Sequence, residues 1–267
     1  MAQGTLGKIR FGNDFTGVGI DAAVQTTTGD TLGGGISMFG VNEGSWTYTV
    51  DEPGGVLAVT TDTGDNDNEC LVAGTFKPAD GVFWMEARFK IPTSVATTRE
   101  AVFVGFTETL SVTTPVMPAE RATATTTYNG TGGMVGFLFD GDSTILDWFF
   151  VAGDAAAALA TQDKNGTTGN ANGIRITGSA GLLGGTSITA DRWYLVRLEM
   201  APDGICKAFF GDIDSGREMV YVARNTAALG TTDNFHAVCM IENRAAANEE
   251  FEVDYFIGEG GRDWLSS

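Results

Sequence analysis

The stretch that decides the fold is residues 191–213, DRWYLVRLEMAPDGICKAFFGDI. Trp193, Leu195, Arg197 and Glu199 alternate with Tyr194, Val196, Leu198 and Met200, so one face of the segment is the more apolar. Pro202, Asp203 and Gly204 then interrupt the run. Proline fixes φ and glycine accepts a positive φ, so the interruption reads as a tight turn and residues 205–213 as the returning strand of a hairpin.

The same grammar recurs outward from this hairpin. Residues 45–61 form a second one around Pro53-Gly54-Gly55. Residues 70–76 and 81–91 are strands separated by Lys77-Pro78-Ala79-Asp80. The run AVFVGFT at 101–107 is continuously apolar, as in a strand covered on both faces. Residues 134–139 and 145–152 pair around Asp140-Gly141-Asp142-Ser143. Residues 218–224, 235–243 and 250–257 complete the set, the last with Phe251, Val253 and Tyr255 on one side. The alanine-rich residues 155–160 read as one turn of helix. Residues 110–133 and 161–189 are long Thr-, Gly- and Asn-rich excursions from the sheets and read as contact loops. With no long amphipathic helix and no fixed-period repeat, the expected fold is an all-β, two-sheet antiparallel sandwich of jelly-roll type with long loops. Residues 45–267 are expected to form the sandwich. Residues 1–44 are expected to be an N-terminal strand and extended segment, within that domain or as an arm.

The 267 residues carry 34 acidic and 16 basic side chains, a formal charge of −18. That balance excludes phosphate-driven nucleic-acid binding and suits a basic partner. Cys70, Cys206 and Cys239 lie too far apart in sequence for a zinc motif and read as buried thiols made in a reducing cytoplasm. The opening MAQGTLGKIRFGNDF lacks the apolar core of a secretory signal, and no run is long enough to span a bilayer. No membrane partner is expected.

Glycan hydrolysis needs two carboxylates facing one bond. Residues 83–89, FWMEARF, offer Glu86 and Arg88 on one face and no second carboxylate. Glu250, Glu252 and Asp254 share parity and read as a solvated acidic strip. His236, the one histidine, has no sequence partner and reads as structural. In DTGDNDNE at 62–69, Asp65, Asp67 and Glu69 are candidate calcium ligands because calcium wants six to eight oxygens; a solvated turn is the alternative. Trp84, Trp148 and Trp193 lie within strands and read as packing residues. Trp46 and Trp264, near a loop and the terminus, read as contacts to a ligand or a neighbouring subunit.

Residues 84–92 (WMEARFKIP), Val104-Gly105-Phe106, residues 191–198 (DRWYLVRL) and Val253-Asp254-Tyr255-Phe256 together resemble the concanavalin A-like lectin/glucanase jelly rolls. Such domains occur in sugar-binding proteins and in virion proteins of tailed bacteriophages. The family's hydrolases carry an E-x-D-x-E strand that is absent here, so the resemblance implies no enzyme and no required cofactor. It implies a structural virion protein, foremost a capsid decoration or cement protein made in the host cytoplasm. The implied partners are the major capsid protein or other virion proteins, with a homo-oligomer such as a trimer. Glycan recognition by a lectin-like module or a tail fibre is the alternative.

Overall fold

The computed structural model describes residues 8–15, 30–41, 44–49, 55–92, 99–111, 115–130, 132–169, 171–185 and 188–261. Among them are twenty strands and two single 3₁₀ turns. The first seven strands are β1 (Lys8–Asn13), β2 (Asp30–Gly33), β3 (Ile36–Gly40), β4 (Ser45–Thr49), β5 (Val56–Thr60), β6 (Asn68–Phe76) and β7 (Phe83–Lys90). The next seven are β8 (Glu100–Thr107), β9 (Ala119–Ala122), β10 (Thr125–Tyr128), β11 (Met134–Asp140), β12 (Phe149–Asp154), β13 (Ala157–Ala158) and β14 (Thr161–Asp163). The last six are β15 (Ile174–Arg175), β16 (Tyr194–Met200), β17 (Cys206–Asp212), β18 (Arg217–Asn225), β19 (Phe235–Asn243) and β20 (Glu250–Gly261).

Eighteen of the twenty strands form two nine-stranded antiparallel sheets, and β9 and β10 pair as a separate hairpin. Sheet 1 runs β14-β18-β17-β16-β7-β20-β5-β4, with β1 also on β20. Sheet 2 runs β13-β12-β11-β8-β19-β6-β3-β2, with β15 also on β12. The deciding hairpin is β16–β17, in register from Tyr194↔Asp212 to Met200↔Cys206. Its alternation is a burial alternation: Tyr194, Val196, Leu198 and Met200 are buried and the residues between them are half-buried. The sheets meet through aromatic rings. Phe89, Tyr194 and Phe210 of sheet 1 pack on Trp148 and Phe137, with centroids 5.3 Å (Phe89–Trp148), 5.7 Å (Trp148–Tyr194) and 5.3 Å (Phe137–Phe210) apart. Each such ring removes about 150–250 Å² from water, which makes this layer the main source of stability.

Strand β8 is buried at all eight positions because it faces two cores. Val102, Val104 and Phe106 point into the sandwich. Ala101 and Phe103 point outward into a second cluster with Leu138, Phe149, Val151 and Met240. A roof covers that cluster. The segment read as a free excursion at 110–133 contains the β9–β10 hairpin, and its Met117, Ala119 and Tyr128 pack onto the outer face of sheet 2. Arg121 pins the roof: its guanidinium donates to Thr126 Oγ1 (2.8 Å), the Asn172 carbonyl (2.9 Å) and Ser143 Oγ (3.2 Å), and lies 3.8 Å over the Phe149 ring. Beneath the roof the Phe103 ring folds over the cross-strand pair Gly105↔Gly136; a Cβ on Gly105 would sit 2.8 Å from Phe103 Cζ and 2.3 Å from the Val135 carbonyl oxygen. Only glycine allows that approach.

Two further readings change. Residues 155–160 hold no helical turn: Ala155 (φ 47°) and Ala156 (φ 63°) are the two central residues of a tight hairpin between β12 and β13. Both have the positive φ that a two-residue hairpin turn demands, so tertiary pairing overrides alanine's helix preference. The second excursion, 161–189, contributes β14 and β15 to the two sheets and buries Ile174 and Ile176.

Candidate functional site

Among the described residues no such roof covers the outer face of sheet 1, and its side chains line up in rows set by the register. One row reads Arg10, Glu259, Trp84, Glu199, Lys207, Arg224 across β1, β20, β7, β16, β17 and β18. The next reads Ile257, Glu86, Arg197, Phe209, Tyr221. The third reads Tyr255, Arg88, Leu195, and the fourth pairs Glu252 with Lys90. In β7 this face follows from parity: Phe83, Met85, Ala87 and Phe89 go into the core, which leaves Trp84, Glu86 and Arg88 outside.

The charged groups on this face satisfy one another. Glu86 accepts from Tyr255 Oη on Oε1 (2.8 Å) and pairs with Arg197 through Oε2 (3.4 Å). Arg197 also pairs with Glu199 (2.8 Å) and lies 4.3 Å over the Trp84 ring. Arg88 binds Asp254 (2.6 Å) and lies 4.5 Å over Trp193; Lys90 lies 5.0 Å from the same ring. Lys90 pairs with Asp191 (2.9 Å) and Glu252 (3.1 Å). Burial works against its charge, but these two carboxylates outweigh it and hold the ammonium above its ordinary range. Arg10 pairs with Glu259. Burial, then the Glu86 carboxylate, pushes the Tyr255 hydroxyl well above the ordinary phenol range. Phe209 and Tyr221 meet edge to face at 5.8 Å. Six cations (Arg10, Arg88, Lys90, Arg197, Lys207, Arg224) face seven carboxylates (Glu86, Asp191, Glu199, Glu250, Glu252, Asp254, Glu259). The face is therefore nearly neutral in a chain of charge −18.

The tryptophans exchange their expected roles. Trp148 is buried, as read. Trp84 and Trp193, read as packing residues, stand half-exposed on the open face. Trp46, read as a contact residue, is 1% exposed, and its Nε1 donates to Glu69 Oε2 at 2.9 Å. It is therefore unavailable as a contact. Trp264 lies outside the described residues.

The three calcium candidates are not gathered around a common point. Asp65 is exposed, Asp67 is buried, and Glu69 is buried against Trp46 and the Gly44 amide (3.2 Å). Burial pushes the Glu69 carboxyl up to about 9. Among the described residues no group of three or more His, Cys, Asp or Glu side chains is placed to hold a metal. Among the described residues Asp65, Asp67 and Glu69 are not assembled into a calcium site.

The acidic strip is broken by a bulge in β20 between Val253 and Tyr255. Glu252 is buried against Lys90, and Tyr255 is turned from the core side to the open face. His236 lies in β19, with Nδ1 3.0 Å from the Gly74 carbonyl oxygen. The three cysteines are free and buried, and burial raises each thiol well above its ordinary range. They are inert as nucleophiles.

No protein-family model and no curated protein matches the sequence. Solved structures do match in fold. A protein of unknown function from Shewanella oneidensis MR-1 is 14% identical, with 98% of this chain and 90% of that one covered and a TM-score of 0.58. The fold is that of the concanavalin A-like lectins. Peanut lectin, solved with a nine-residue peptide, is 10% identical over 94% of this chain and 97% of its own, with a TM-score of 0.53. Lectin II from Ulex europaeus is 12% identical over 94% and 98%, with a TM-score of 0.51. At these identities the likeness is one of architecture, a lectin-like jelly roll of two large antiparallel sheets.

Proposed function

We propose that this chain is a non-enzymatic adhesion protein of a tailed-bacteriophage virion, foremost a decoration or cement protein on the capsid, docking through the open face of sheet 1. One observation carries the reading. The exposed tryptophans lie under guanidinium groups of the same chain, and each carboxylate between them has a cationic or hydroxyl partner. A face built of Trp, Tyr and Arg has the composition of protein–protein hot spots. A sugar-stacking platform needs bare ring faces, and a hydrolase needs a carboxylate pair free to move protons. The test is quantitative mass spectrometry of purified virus particles from the source. Copy numbers comparable to the shell protein support decoration, a handful of copies moves the chain to the tail, and absence overturns the virion reading.

A second reading, a carbohydrate-binding module, is favoured by the likeness of fold to peanut lectin and the Ulex lectin. Binding on a glycan array that Trp84→Ala abolishes would support it. No binding with or without calcium would remove it.

A further inference from the structure

We infer that the β9–β10 roof is a proton-controlled lid over the outer face of sheet 2, closed while the Glu242 carboxyl under its edge holds a proton and released as that carboxyl ionises. The roof is built to move as a unit. Its two strands ladder with each other, in register from Thr125↔Ala122 to Tyr128↔Ala119, and with neither large sheet, so lifting it breaks no ladder of the sandwich. A short set of bonds ties it to the end of sheet 2. Asn68 Nδ2 donates to the Pro115 carbonyl (2.6 Å) and the Met117 amide donates to Glu242. The Arg121 amide donates to Asp140 Oδ2 (2.7 Å) and the Thr123 amide to the Asp142 carbonyl (2.9 Å).

Charge at this edge supplies the trigger. Arg244 is buried there among three carboxyl groups. It grips Asp140 through Nε (3.2 Å) and Nη2 (2.8 Å), pairs with Glu242 through Nη1, and reaches Glu120 of the roof at 3.9 Å. Asp140 and Glu242 are both buried, so one guanidinium faces two carboxyl groups shut off from water and a third at the rim. A proton on Glu242 removes the excess negative charge. The other strands beside Glu242 bring the Asn68 amide from β6 and the uncharged Ala101 from β8, while Asp142 feels both Asp140 and Arg244. Burial, against the pull of Arg244, holds Glu242 at about 7.

Lifting the roof returns water to Glu242, whose ordinary value is 4.5. The closed form therefore binds the proton more tightly than the open form. Acid favours closure, and opening increases as pH climbs from about 4.5 to 7, by up to roughly 300-fold in all. The packing of Met117, Ala119 and Tyr128 keeps the closed form in the majority throughout.

Pulsed oxidation of the full chain by hydrogen peroxide, read by peptide mass spectrometry, tests this. Met134 and Met240 lie in the roofed cluster, while Met85 and Met200 lie in the sandwich core and report global unfolding. Met134 and Met240 should oxidise on the order of 50-fold faster at pH 8 than at pH 5, with Met85 and Met200 unchanged. Glu242→Gln has no proton to lose and should oxidise slowly at both pH values. Equal rates for the wild-type chain at the two pH values overturn the inference. So does a parallel rise at Met85 and Met200, or a Glu242→Gln variant that keeps the wild-type ratio. If Glu242→Gln fails to fold, Arg121→Ala decides, because it cuts the bonds to Ser143 and Asn172 and leaves Glu242 in place. It should raise both rates and preserve their ratio; a ratio lost with Glu242 intact places the trigger elsewhere and overturns the inference.

Discussion

The two sheets of this sandwich treat their outer faces in opposite ways. Sheet 2 carries Phe103, Leu138, Phe149 and Met240 outward and hides them beneath the β9–β10 roof, so its outer face is a second core. Sheet 1 carries Trp84, Glu86, Arg88, Arg197 and Tyr255 outward and leaves them open, each neutralised by a neighbour. The difference separates stability from recognition. An apolar face must be covered, and covering it removes it from function. A face of paired charges and capped rings persists in water and still offers area to a protein partner.

The largest expected effect lies under the roof. Phe103→Ala should cost about 3–5 kcal/mol in urea unfolding, because the ring is fully buried and Gly105 and Gly136 leave nothing to fill the space. Replacing 117–128 by a short Gly/Ser linker should expose the second cluster and produce a chain that binds an apolar dye and aggregates. A well-behaved monomer with native stability would show that the segment is the loose contact loop its composition suggests.

Smaller effects follow from protons buried along sheet 2. Glu69 on β6 is held at about 9 and Glu242 on β19 at about 7, both chiefly by burial; Glu100 on β8 is raised by burial and by the Glu249 carboxyl beside it. These groups keep protons in the folded state that the unfolded chain releases near 4.5. Their contribution is therefore fully present below about pH 4.5 and is lost as pH rises through 7 to 9. The urea midpoint should be lower at pH 9 than at pH 6. Glu69→Gln should reduce that drop by up to about 3–4 kcal/mol, since the amide has no proton to lose. A pH dependence unaltered by the substitution would mean that Glu69 is ionised in the native state. The smallest effect belongs to the open face. Trp84→Ala should change stability by no more than about 1 kcal/mol, the size of a half-exposed cation–π contact, while changing binding.

The architecture was legible because its signals are local. The alternation in 191–213 and the continuous run in 101–107 became β16, β17 and a strand buried on both faces. The open face was also legible in part: Trp84 shares parity with Glu86 and Arg88, and Trp193 with Arg197, so parity places both tryptophans outside. Reading them by residue type alone placed them in the core. What stayed hidden depends on distant partners. Trp46 is buried because Glu69, 23 positions away, folds back to accept its indole N–H. The roof was hidden because β9 and β10 are short and polar, and only Met117, Ala119 and Tyr128 carry its packing. Tyr255 changes sides at a bulge that no sequence period announces.

Hydroxyl-radical footprinting of the chain, free and bound to purified virus particles, tests the central claim most directly. The account predicts that Trp84, Phe209 and Tyr255 lose reactivity on binding while the roofed cluster around Phe103 is unreactive in both states. Unchanged labelling of the open face on bound chains, with protection elsewhere, would contradict it.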